Sequence, residues 1–67
     1  MIKTKIHIKI AETRTTQKKV SEDTGIRLAT LSNYCTDKYI TISKKHIDLL
    51  CKYFKCQPSD LFEYVED

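Results

Sequence analysis

The 67-residue sequence predicts an all-α domain, and three observations predict it. Ile47, Leu50, Cys51 and Phe54 recur at i, i+3, i+4 and i+7, the stripe of an amphipathic helix. Gly25, the one glycine in the chain, separates two short segments whose apolar residues also fall at helical spacing. The length allows a single domain over 1–67, and chains of this size bury only about 60% of their unfolded surface. The core must therefore be compact.

The first ten residues carry two signals. Ile2, Ile6, Ile8 and Ile10 alternate with Lys3, Lys5, His7 and Lys9, an isoleucine-rich pattern that argues for a strand. Ile2, Ile6 and Ile10 also fit a helix at i, i+4. Both readings stand on the residues alone.

Beyond this segment Thr16 is suited to N-cap a second helix with Gln17 at its first position; Lys19 at the third leaves no capping box. That helix ends at Thr24, where Gly25 adopts the left-handed C′ conformation at little cost and satisfies dangling carbonyls. Ile26 plugs the turn, and a third helix runs from Leu28 to Cys35 with Leu31 and Tyr34 turned inward. Two helices joined by so short a glycine turn form a helix-turn-helix, which offers the outer face of its second helix to the DNA major groove. Thr36 to Thr41 is the following loop, with Asp37 tolerating left-handed backbone. Ser43 caps a fourth helix that carries the stripe from Ile47, with Leu49 and Tyr53 beside it. Pro58 restarts the chain as a first helical residue, and Ser59 to Tyr64 is read as a short final helix that closes the core through Leu61 and Phe62.

Charge is distributed unevenly. All twelve Lys and Arg lie in the first 55 positions against five acids, giving +7; the last twelve positions hold four acids and no base, giving −4. Such a basic body with an acidic tail suits one face meeting phosphate. Lys18, Lys19, Lys44, Lys45 and His46 stand in first turns of helices, where positive charge opposes the macrodipole; a nearby polyanion reverses that effect.

Other function classes lack their residues. Without a signal peptide or an apolar run near the roughly 18 residues of a membrane span, a cytoplasmic location and no membrane partner are expected. Cys35, Cys51 and Cys56 are odd in number and lack Cys-x-x-Cys spacing, which argues for apolar fillers over a zinc site or disulfides. His7 and His46 have no arranged nucleophile and acid, and there is no phosphate-binding glycine loop. No enzyme activity, cofactor, metal or small-molecule substrate is expected.

Thr16-Gln17, Val20, Thr24-Gly25-Ile26 and Thr30-Leu31-Ser32 together resemble the lambda-repressor-like helix-turn-helix domains of the Cro and Xre type. The run from Ile47 to Tyr64, a cysteine-bearing helix leading into Pro58-Ser59-Asp60-Leu61, looks like the fourth and fifth helices of a small subgroup of them. The resemblance covers about residues 6–66. It implies a five-helix bundle whose first helix spans about Lys5 to Thr13, with Ile8 off its buried stripe. Ile2 to Thr4 is then left extended, to pair with the β-prone Phe62 to Val65 and shield one edge of each strand.

The same resemblance implies the site. The glutamine at the place of Gln17 clamps a DNA phosphate at a helix N-terminus, with Lys18 beside it. Arg27 replaces the usual Ser or Thr cap of the recognition helix and is placed to grip guanine O6 and N7, or a phosphate. Leu28 and Ala29 stand at base-reading positions; unable to hydrogen-bond, they are suited to thymine methyls, while Asn33 can pair with adenine N6 and N7. Thr30, Lys38 and Lys44 are assigned to phosphates, with Tyr39 and Lys45 near them, and Ser21, where alanine commonly packs, is expected to bond back to a helix carbonyl. The implied function is sequence-specific binding of a double-stranded DNA operator as a transcriptional regulator that represses, by a homodimer reading half-sites about 34 Å apart. The alternative is a protein-interaction module, antitoxin-like or antirepressor, which exposed Ile8, Leu49 or Tyr53 would support.

Overall fold

Both periodicities of the first ten residues are used, one after the other. The computed structural model describes residues 1–66 and places strand β1 at Ile2–Thr4 and helix α1 at Ile6–Glu12. The switch falls at Lys5, whose N–H leaves the helix to bond the Leu61 carbonyl at 2.7 Å. Ile6 and Ile10 then point into the core and Ile8 stays 42% exposed, as a helical stripe that omits it requires. Helices α2 (Gln17–Thr24), α3 (Leu28–Cys35) and α4 (Lys44–Phe54) follow, with the bounds of α2 and α3 falling where Thr16, Gly25 and Arg27 put them. Ser43 caps α4 by accepting the His46 N–H at 3.0 Å, and Lys55 ends it in the left-handed conformation.

The last segment departs from a fifth helix. Pro58–Asp60 makes a single 3-10 turn, and Phe62–Tyr64 is strand β2, so the fold has four α-helices and a strand pair. Asp60 accepts the Gln57 N–H at 2.9 Å, the bond with which a capping box starts a helix, and the turn still ends at Leu61. A six-residue helix pairs few backbone groups for the residues it orders. Extended, the same β-prone residues find partners in β1, with Ile2 opposite Tyr64, Lys3 opposite Glu63 and Thr4 opposite Phe62 in antiparallel register.

At the centre of the core Ile6, Val20, Leu31, Leu50 and Leu61 are fully buried, one each from α1, α2, α3, α4 and the segment before β2. Within the α4 stripe only Leu50 is completely enclosed; Ile47, Cys51 and Phe54 are half-buried, and Leu49 and Tyr53 pack against the core as well. The three cysteines are free, Cys35 buried and the others half-buried, and burial pushes all three thiols up. That is the behaviour of apolar fillers. Among the described residues no helix is long and apolar enough to cross a membrane.

Thr4 is the one buried polar residue described, and it joins the sheet to α3. Its hydroxyl donates to the Tyr34 carbonyl at 2.6 Å, and its N–H donates to Asp37 Oδ1 at 3.0 Å. Asp37 holds the left-handed backbone expected of it, at φ 57°.

Leu50→Ala is expected to lower unfolding free energy by about 2–5 kcal/mol, because the cavity opens where four other elements meet. Urea denaturation followed by circular dichroism measures it; a loss below about 1 kcal/mol would show that the site collapses around the smaller side chain.

Candidate nucleic-acid interface

The geometry of the site starts at the turn between α2 and α3. Gly25 has φ 80°, and its N–H donates to the Ser21 carbonyl at 2.9 Å. The next residue, Ile26, is 1% exposed. Both of its backbone groups are taken by hydroxyls of α2: its N–H donates to Thr24 Oγ1 at 3.2 Å, and its carbonyl accepts from Ser21 Oγ at 2.6 Å. Thr24 in turn donates to the Val20 carbonyl at 2.7 Å. Ser21 thus bonds forward across the turn, not back into its own helix. The result is a fastened corner that holds α3 at one angle to α2.

From that corner α3 turns Leu31, Tyr34 and Cys35 inward and leaves the opposite side bare. Ala29 and Asn33, one turn apart, are both exposed at the middle of the bare face; Leu28, 46% exposed, lies at its edge, and Thr30 and Ser32 are half-buried flanks. Arg27 is exposed at the N-cap and makes no side-chain cap bond, so the first N–H groups of α3 are left to other acceptors. At the far end the Lys38 N–H donates to the Asn33 carbonyl at 2.9 Å, which sets exposed Lys38 against the end of the same face. Behind it the Tyr34 hydroxyl, its pKa raised by burial, is hydrogen-bonded with Nδ1 of His46 at 2.6 Å, and its ring packs edge-on against Tyr39. This contact fixes α3 to the first turn of α4.

Two more candidate residues stand at the start of α2. Thr16 caps the helix by accepting the Lys19 N–H at 3.1 Å, and Gln17 and Lys18 follow at its positive end. Lys18, Arg27 and Lys38 have no carboxylate partner among the described residues, whereas Lys19 is turned along α2 to Asp23 at 3.2 Å. Asp23 also accepts from the Tyr53 hydroxyl of α4 at 2.8 Å. That hydroxyl, and then the Lys19 ammonium, hold its carboxyl below the ordinary range. Lys44, exposed in the first turn of α4, also lines a groove with Ile47, Asp48, Cys51, Cys56, Gln57 and Pro58. The structure therefore places Arg27, Leu28, Ala29, Asn33 and Lys38 on one helix and its ends, Gln17 and Lys18 at the start of α2, and Lys44 in the turn of α4 whose His46 meets Tyr34.

Five hydrogen bonds that shape the site are not legible from periodicity. The two hydroxyls holding Ile26 give a weak signal, a Ser and a Thr placed four and one residues before the glycine. The bond from Tyr53 to Asp23 and the bonds from Thr4 to Tyr34 and Asp37 span 30 or more positions and leave no local trace. Among the described residues no group of three or more His, Cys, Asp or Glu is placed to hold a metal ion.

Comparison with known proteins agrees with this geometry. Residues 5–67 match the Cro/C1-type HTH DNA-binding domain. The uncharacterized HTH-type transcriptional regulator YozG of Bacillus subtilis (strain 168) is 32% identical over 62 residues, covering 92% of this chain and 74% of that protein. A crystal structure of a Bacteroides fragilis protein described as DNA-binding superposes with a TM-score of 0.82 at 22% identity, covering 94% of this chain and all of that one. At that identity it speaks for the fold.

Gly25→Ala is expected to destabilise the domain by about 1–2 kcal/mol, and Gly25→Asn by less, in urea unfolding. A Cβ at this position meets nothing within 4 Å, so the whole cost is backbone conformation. Equal stability of all three proteins would show that the turn relaxes. For Asp23, whose folded pKa is depressed, the stabilisation is present above the unfolded value near 3.8 and is lost as pH falls through the lower folded value. A carboxyl NMR titration should place its midpoint below 3.8 and Tyr53→Phe should raise it; a midpoint that does not move would remove Tyr53 as the cause.

Proposed function

The chain belongs to the Cro/C1-type HTH DNA-binding domains, and from that premise we propose that it is a sequence-specific transcriptional regulator that represses by occupying an operator in double-stranded DNA as a homodimer. The regulator named among its relatives supports this reading. The observation that carries it is the two-sided character of α3, buried through Leu31, Tyr34 and Cys35 and bare through Ala29 and Asn33, with a corner that fixes how the bare side is presented. A face of that kind, about 12 Å across with its side chains, fits the B-DNA major groove.

Within this reading Arg27 and Asn33 supply hydrogen bonds to bases, and Leu28 and Ala29 apolar contact with thymine methyls. Gln17 and Lys18 hold phosphate at the positive end of α2, Thr30 and Lys38 hold it along α3, and Lys44 holds it from the first turn of α4. Repression follows from occupancy, since the site of an operator and the approach of polymerase exclude one another. The alternative of a protein-interaction module loses two of its three supports: Leu49 and Tyr53 pack against the chain's own core, and Tyr53 is engaged with Asp23.

Selection of bound sequences from a random DNA pool at two salt concentrations tests the function. Arg27→Ala and Asn33→Ala should each cost about 1–3 kcal/mol on the selected operator and relax the base preference at one position. Lys38→Ala should weaken all sequences about equally and reduce the salt slope by roughly one unit, and Gln17→Ala should weaken them with the slope unchanged. Unchanged affinity and preference in Arg27→Ala and Asn33→Ala would remove both residues from the readout, and an unselective wild type would remove the function.

A further inference from the structure

Helix α4 ends in a left-handed turn that brings two thiols together. Lys55 takes φ 54°, and the Cys51 carbonyl accepts the Lys55 N–H and, at 3.0 Å, the Cys56 N–H as well. A cap closed in this way sets the side chain just past the left-handed residue against a side chain of the last helical turn, a contact usually made by two hydrophobic residues. Here both positions are cysteine. The Cys56 thiol donates a hydrogen bond to the Cys51 sulfur, so the two side chains touch. The pair lacks Cys-x-x-Cys spacing in sequence; the cap achieves the same closeness by folding the chain back on itself.

Both residues are half-buried, and both line one surface groove with Asp48 and Pro58. A small solute can therefore reach either sulfur. Cys35, the third cysteine, is buried on α3. A disulfide needs Cα atoms within about 7 Å and Cβ atoms that converge, and a chain reversal that puts two thiols in contact meets both needs.

We propose that Cys51 and Cys56 are a reversible two-electron redox site, in which a peroxide closes the pair to a disulfide and a dithiol reopens it. The chemistry does not depend on what α3 binds. The Cys51 thiolate attacks one peroxide oxygen; an S–O bond forms, the O–O bond breaks, and the other oxygen leaves with a proton as water or alcohol. The Cys56 sulfur then attacks the Cys51 sulfur, the S–O bond breaks, and the hydroxyl leaves with the Cys56 proton as water. Two electrons pass from the two sulfurs to the peroxide. In reduction a dithiol returns them through a mixed disulfide.

The two steps differ in speed. Burial raises both thiols, with nearby Asp60 adding to the effect, so little thiolate is present near neutral pH and the first step is slow. The hydrogen bond from Cys56 favours Cys51 as the attacking sulfur. The second step is fast because its partner is already in place. Such a site answers sustained oxidant, not a brief pulse, and the waiting Cys56 keeps Cys51 from going on to sulfinic acid.

Closure also acts on the fold. It ties the end of α4 to the turn at Pro58–Asp60, which delivers Leu61 to the core and Phe62 to β1. That joint is otherwise held by the two hydrogen bonds on the Cys51 carbonyl. By linkage, the factor by which folding favours the disulfide is the factor by which the disulfide favours folding.

Equilibration of the full chain in glutathione redox buffers, folded and in urea, followed by alkylation and mass-spectrometric mapping, tests this. In the folded chain Cys51 and Cys56 should be linked within one molecule, at a mass lower by two hydrogens, with Cys35 still a thiol and a dithiol restoring the pair. The constant for this link should be about tenfold or more larger folded than in urea, and the unfolding constant should fall by the same factor on oxidation. Hydrogen peroxide should give the same link without sulfinic acid. Lys55→Gly should keep it, since glycine takes the left-handed turn freely, and Lys55→Val should weaken it. An equal constant in folded and urea-unfolded chains, a link formed only between chains, or thiols that persist in the folded chain while the unfolded one is oxidised would overturn the proposal. These comparisons use the wild type, so the proposal stays falsifiable if a variant does not fold.

Discussion

Ile26 is where α2 and α3 hold one another. Its side chain is in the core, its N–H belongs to Thr24 and its carbonyl to Ser21, so the residue cannot rotate without breaking a packing contact and two hydrogen bonds at once. A turn made only of a flexible glycine would join the helices without fixing the angle between them. Gly25 supplies the permitted reversal, and the two hydroxyls convert that permission into one orientation. The positions of Ala29 and Asn33 relative to Gln17 are inherited from this corner, which is why contacts with no exposure of their own decide what the exposed face presents.

A second set of constraints acts on the other end of α3. Tyr34 meets His46 through its hydroxyl and Thr4 through its carbonyl, and Asp37 adds a bond to the β1 backbone. The helix is therefore fixed at its start by α2, at its end by the sheet, and from behind by α4. Tyr53 on Asp23 braces the back of α2 in the same way and, through Lys19, turns one of its cations away from the Gln17 end. The charge left there comes from Lys18 beside the helix terminus, where anions are favoured and cations alone are not.

Local chemistry made much of this readable from the residues. Caps at Thr16 and Ser43, the left-handed Gly25 and Asp37, the plug at Ile26 and the bounds of α2 and α3 each depend on a few neighbouring positions, and each is found where those residues place it. The residues from Ser59 to Tyr64 carry two expectations, a final helix and the pairing of Phe62 to Val65 with Ile2 to Thr4; the pairing is the one that forms, and the choice is made by β1, about 60 positions away. The pins from Thr4, Tyr53 and Ser21 escaped for a related reason: a hydroxyl has no periodicity, and its partner is set by packing that forms only in three dimensions. Which exposed side chains of α3 share one face is legible from the helical repeat, because Ala29 and Asn33 are one turn apart.

The pairing of Ile2 with Tyr64 spans nearly the whole chain, and it has a consequence for how the molecule is made. During synthesis β1 emerges ahead of all four helices and waits without a mate while they follow, because its partner strand lies beyond them at Phe62–Tyr64. Until then Thr4 has no sheet to hold it beneath Tyr34, and the far end of α3 lacks its anchor. Nascent chains on the ribosome thus pass through a stage in which the corner at Ile26 is set but the opposite end is loose, and the frame becomes rigid only once Phe62–Tyr64 is free to pair.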